Sequence, residues 1–125
     1  MAHALGLKEE EIGEIRLGAL LYDIGKVGIP KGILGKRSAL NLGEWEKMKE
    51  HVLLGDRITN PLPTISRIRK TVCHHQEMYD GSGYPLGPAA DQIRIGSRFV
   101  AIADACRTIG WGADLQEGPH SSRYF

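Results

Sequence analysis

Long apolar runs are missing from this chain of 125 residues. The longest, Ala19–Tyr22 and Phe99–Ala103, fall far short of the roughly 20 residues that a bilayer span needs. The chain also lacks a basic segment leading into an apolar one. Glu9, Glu10 and Glu11 come early instead, so no signal peptide is expected. Cysteine is scarce: Cys73 and Cys106 are too few and too far apart for a disulfide framework or a zinc knuckle, and a reduced, cytoplasmic setting is expected. Charge of one sign is lacking as well. Lys+Arg 16 against Asp+Glu 15 leaves a net +1, which gives no overall pull toward a nucleic-acid polymer or an anionic membrane. Any phosphate binding must come from a few placed residues or a metal.

What is present is a globular balance, with 42% hydrophobic and 25% charged residues, enough for one domain. Apolar spacing predicts four helices. The first runs from Leu7 to about Ile24, with Ile12, Ile15, Ala19 and Tyr22 on one stripe, Leu20 and Leu21 broadening it, and Gly25 as its stop. The glycine-rich stretch from Gly25 to Ser38 is expected to be loop. A second helix starts at Asn41, a good N-cap with Glu44 three residues on, and carries Trp45, Met48 and Val52 until Asn60-Pro61 and Pro63 stop it. A third spans about Thr64 to Tyr79, with Ile65, Ile68, Val72 and His75 on one side. After the turn-rich Asp80-Gly81-Ser82-Gly83-Tyr84-Pro85, a fourth runs from about Ile93 to Ile109 with Ile95, Phe99, Ile102 and Ala103. From Trp111 the periodicity is lost, and a loose tail over 110–125 is expected, leaving a domain over 1–109.

Candidate metal ligands recur, at least one per helix: Asp23, His51, the pair His74-His75, and Asp104. Imidazole and carboxylate groups pointing inward from facing helices are a common way to build a metal site in a bundle, and this mixture suits iron, manganese or zinc better than calcium or magnesium. Taken singly, each has a plain structural role: a histidine on a helix face, an acid at a helix end. Asp104 is the hardest to explain that way, because it follows the apolar run Phe99–Ala103 and a carboxylate there needs a cation or donors. Of two adjacent helical histidines, about 100° apart, at most one faces a given centre. Lys26, just past Asp23, is either an ion-pair partner or a point charge for phosphate.

Together, Leu20-Leu21-Tyr22-Asp23-Ile24-Gly25-Lys26, the segment ending at His51, His74-His75-Gln76-Glu77-Met78-Tyr79-Asp80-Gly81-Ser82-Gly83-Tyr84-Pro85, and Val100–Ala105 resemble the HD-GYP family of the HD metal-dependent phosphohydrolases, over about residues 5–105. The resemblance implies an all-α, HD-like helical bundle with long glycine-rich loops. It also implies a divalent-metal cofactor of one or two ions, iron or manganese first. Asp23, His51, His75 and Asp104 are the implied ligands. Asp23 and Lys26 take catalytic roles, and Lys26, Gly83, Tyr84 and Pro85 contact substrate. The implied reaction is hydrolysis of cyclic di-GMP by metal-activated water. Implied partners are the cyclic dinucleotide and diguanylate cyclase-type or receiver domains.

The chain departs from the family pattern. Tyr22 stands where the HD histidine belongs, and a phenol is a poor ligand at neutral pH except to a hard ferric ion. Gln76 replaces the second histidine of the pair, and Arg107 puts a cation where an acid is usual. The helix that precedes helix one in the family has no counterpart. Four remaining ligands suffice for one metal. Three readings follow: a phosphodiesterase weakened by these changes, a degenerate module that signals by binding a nucleotide or partner, and a piece of a longer protein.

Overall fold

Three carboxylates open α1 (Glu9–Leu21), where they suit the positive end of the helix dipole, and Glu11 accepts a hydrogen bond from the Lys8 N–H at 2.9 Å. The structure is a computed structural model that describes residues 3–112 and, within them, all side chains but those of residue 64 and residues 109–112. Among the described residues there are helices and turns and no strand. The helix stops at Leu21, earlier than expected, and Gly25 does not cap it. Gly25 lies inside a separate 3-10 turn, Ile24–Gly28, that begins just after Asp23. The expected stripe is also narrower: Ile12 is buried and Ile15 half-buried, whereas Ala19 and Leu20 face solvent. The stretch read as loop then forms a short helix, α2 (Lys31–Leu34), whose Ile33 and Leu34 amides donate to the Pro30 carbonyl.

The capping box read from Asn41 and Glu44 is present. Each side chain accepts the other's backbone N–H at 2.9 Å, and α3 (Leu42–Thr59) follows. Its buried face is Met48, His51, Val52, Gly55 and Thr59, at three- and four-residue steps. The third predicted helix is broken. A 3-10 segment, Pro63–Ile68, leads into a short α4 (Arg69–His74), which ends five residues before the expected Tyr79. The chain turns away there because Gly83 packs onto it. A Cβ on Gly83 would fall 2.3 Å from the Met78 nitrogen and 2.4 Å from the Glu77 Cα, an approach that only glycine permits.

The last helix, α5 (Ile95–Gly112), runs past its expected end at Ile109; the loose tail expected beyond it lies, from 113 on, outside the described residues. Its inner face differs from the predicted one. Gly96, Ser97 and Val100 are buried, Phe99 is half-buried, and Ile95, Ile102 and Ala103 are exposed. Small residues let α5 approach closely, and the Ser97 hydroxyl donates to the Lys70 carbonyl at 3.1 Å.

α3 packs against both the 24–28 turn and α4, and α1 packs against α5 and α4. Val52, Ile68, Val72 and Val100 are almost wholly enclosed between them, and each such side chain is worth about 1.5–3 kcal/mol of burial. One junction matters for the site. A Cβ on Gly25 would lie 1.8 Å from the His51 carbonyl oxygen and 2.5 Å from the Gly55 nitrogen. Backbone touches backbone there, and this close approach sets Asp23 beside His51.

Candidate metal centre

Asp23, His51 and His75 converge, from the turn after α1, the middle of α3 and the end of α4. Both histidines are buried, each 2% exposed as a residue, and their ring centroids lie 5.4 Å apart. Each ring is oriented from behind: Nδ1 of His51 lies 2.7 Å from the Met48 carbonyl, and Nδ1 of His75 lies 2.7 Å from the Val72 carbonyl. A carbonyl only accepts, so each Nδ1 carries the hydrogen and, in the neutral ring, Nε2 presents a lone pair. Burial holds the His75 imidazole neutral, pushing its pKa from 6.5 down to about 4.

The two Nε2 atoms stand 3.3 Å apart, and Oδ1 of Asp23 is 3.5 Å from that of His51 and 3.9 Å from that of His75. Oδ1 is itself buried without a hydrogen-bond partner. Wherever the two Nε2 atoms are unprotonated, three electron-rich atoms face one another, an arrangement that a cation relieves. Ligands about 2.1 Å from a shared ion lie about 3.0–3.4 Å from one another, so the Nε2 pair is already at that spacing and Oδ1 must close in by a few tenths of an ångström. Carbonyl-oriented histidines are also the usual support of metal-binding imidazoles.

The other oxygen of Asp23 has different company. The Lys26 ammonium donates to Oδ2 at 2.7 Å, and the Arg107 guanidinium lies 3.9 Å from it. Asp104 lies beyond, outside the converging three. Its Oδ1 accepts from the Tyr22 hydroxyl at 2.8 Å and from Arg107 at 3.1 Å. Tyr22 also meets the His75 ring edge-on at 5.0 Å. Burial and the hydrogen bond to Asp104 raise the Tyr22 phenol well above its ordinary pKa, so in the metal-free protein it is a neutral donor. His74 takes no part in the group: its Nδ1 is buried without a partner, and burial lowers its pKa.

The Gly-Tyr-Pro loop lies along α3. Tyr84, followed by a cis bond to Pro85, meets Trp45 edge-on at 6.0 Å, with the Lys49 ammonium 5.8 Å from its ring. Trp45 and His51 are six residues apart on α3, about 9 Å of helix rise. The loop is anchored by Glu77, a residue that sequence reasoning passed over. Its carboxylate, 5% exposed, accepts from the Leu86 N–H at 2.8 Å and the Gly87 N–H at 3.1 Å. Asp80 tightens the same loop by accepting from the Ser82 N–H and hydroxyl, and these bonds hold its carboxyl below the usual range.

A family model described as "HD domain" matches residues 1–109. This chain belongs to the HD domain family. Curated proteins similar to this HD domain include a 3'3'-cGAMP-specific phosphodiesterase 2 from Vibrio cholerae, 39% identical over 88% of this chain and 22% of its own length. A cyclic di-GMP phosphodiesterase from Thermotoga maritima is 39% identical over 84% and 29%. A cyclic di-GMP phosphodiesterase response regulator, RpfG, from Xanthomonas campestris is 37% identical over 83% and 28%. The chain thus spans between about a fifth and three-tenths of the length of these relatives. No helix among the described residues is long and apolar enough to cross a membrane.

Proposed function

We propose that this HD domain binds a divalent metal through Asp23, His51 and His75 and hydrolyses a phosphodiester of a guanine-containing cyclic dinucleotide. The observation that carries the reading is the convergence of two carbonyl-oriented Nε2 atoms on the partnerless Oδ1 of Asp23. When bound, iron or manganese there supplies Lewis acidity and makes water acidic enough to attack near neutral pH. The chain's own residues do the rest. Met48 and Val72 carbonyls fix the imidazoles, Lys26 orients Asp23, and the exposed part of its ammonium meets a phosphate oxygen. Tyr84 with Trp45, which is about 9 Å of helix rise from His51 on α3, offers an aromatic surface for a base, with Pro85 beside it. Hydrolysis joins a water oxygen to phosphorus and releases the ribose oxygen with a proton, opening the ring. The names of the relatives support cyclic di-GMP or 3'3'-cGAMP as substrate. A receiver domain is the partner that the response-regulator relative suggests, and a cyclase-type domain is one that the HD-GYP resemblance implies.

One observation favours a second reading, a module that binds the nucleotide without turning it over. Asp104, a ligand by resemblance, is engaged by Tyr22 and Arg107 instead. Turnover of cyclic di-GMP with added Mn²⁺ or Fe²⁺, alongside nucleotide binding, separates the two. Slow hydrolysis that Asp23→Asn abolishes supports the enzyme. Tight binding without hydrolysis supports the module, and absence of both overturns each. Restoring Tyr22→His with Gln76→His raises turnover if those substitutions are the weakness.

A further inference from the structure

We propose that Arg107 is a built-in cation that closes the α5 side of the centre and limits it to a single divalent ion. The inference rests on the metal-binding reading of Asp23, His51 and His75. Two-metal hydrolytic sites place their ions about 3.5–4 Å apart, with carboxylates that share oxygens between them. Here the oxygens available to a second ion are Oδ2 of Asp23 and the carboxylate of Asp104. Both face the same guanidinium: one Nη2 of Arg107 lies 3.1 Å from Asp104 Oδ1 and 3.9 Å from Asp23 Oδ2. Lys26 donates to that Oδ2, and the Tyr22 hydroxyl to that Oδ1.

The charges tell the same story. Two carboxylates, Asp23 and Asp104, are matched by two cations, Lys26 and Arg107. A first divalent ion enters on the Oδ1 side of Asp23, where no cation stands among the described residues. A second must displace Arg107 from between the two acids or sit against it. The guanidinium is held there by its reach from α5: positions 104 and 107 are three apart and share a helix face, so Asp104 fixes Arg107 within one turn. Its side chain is 54% exposed, so its remaining N–H groups are open to an incoming phosphate oxygen, the fork-like recognition that a second ion would otherwise supply.

The test is a Mn²⁺ titration of the full chain, read by metal analysis and by electron paramagnetic resonance, with no substrate present. The wild-type chain is expected to take one equivalent and give the signal of isolated Mn²⁺. Arg107→Ala and Arg107→Gln, changes at an exposed position that leave the helical circular-dichroism spectrum intact, are expected to take a second, weaker equivalent with an exchange-coupled signal. Arg107→Lys keeps the charge and stays at one. Two coupled ions in the wild type overturn the inference and leave the metal reading standing. One equivalent in all four proteins also overturns the inference alone. No bound Mn²⁺ in any of them overturns the metal reading, and the inference with it.

Discussion

The α3 side and the α5 side of Asp23 are built from opposite materials. On the α3 side, two buried imidazoles, each oriented by a backbone carbonyl, face an oxygen that has no hydrogen-bond partner. On the α5 side, a tyrosine hydroxyl and a guanidinium engage Oδ1 of Asp104, and an ammonium engages Oδ2 of Asp23. Among the described residues the first side lacks positive charge and the second already has it. One carboxylate standing between a cation-seeking pocket and a cation-filled one teaches that ligand residue types alone do not make a metal site. Their partners decide which oxygens remain available.

The largest effect expected from breaking this contrast is on the α3 side. His51→Ala removes one of the three converging atoms and lowers Mn²⁺ affinity roughly a thousandfold, about 4 kcal/mol, measured by calorimetry. Tyr22→Phe, on the other side, leaves that affinity within a few-fold. An equal loss in both variants erases the contrast.

Protonation sharpens it next. His75 has its pKa depressed from 6.5 to about 4 by burial. The unfolded chain therefore takes up a proton at this ring before the folded one does. The stability this provides is complete above about pH 6.5 and is lost as pH falls through about 4, an effect of about 3 kcal/mol in metal-free protein. Urea unfolding across that range, against a flatter profile in His75→Gln, checks it.

Away from both sides, Glu77→Ala leaves the Leu86 and Gly87 amides without their acceptor and destabilises the fold by about 2 kcal/mol, with Mn²⁺ stoichiometry unchanged. A thermal melt and a metal titration read the two effects. A variant that loses metal as well joins the loop to the centre.

Much of the centre was legible because its residues are rare and regularly placed. Asp23, His51 and the pair His74-His75 stand out as candidate ligands on or beside successive helices, the family resemblance picks His75 from the pair, and Asn41 with Glu44 marks the start of α3 by a rule of local spacing. Less legible were choices made by a side chain's partners, whether on its own helix or brought in from another. Asp104 looked like a ligand because an acid after an apolar run needs a cation or donors. Tyr22, 82 residues away in sequence, and Arg107 provide the donors. The end of α4 was missed because it is imposed from outside the helix, by the approach of Gly83 and the amides that Glu77 collects. A signal existed: a carboxylate just before a glycine-rich loop full of unpaired N–H groups tends to bind them. The outward turn of Ile102 and Leu20 was hidden because α5 packs through small residues, which hydrophobic spacing does not register.

The most direct measurement is an anomalous-scattering map from crystals grown with Mn²⁺. The account predicts one peak, bounded by Nε2 of His51, Nε2 of His75 and Oδ1 of Asp23, with Arg107 still between Asp23 and Asp104. A map with no peak there, or with the ion held by Asp104 and the phenolate of Tyr22, contradicts it.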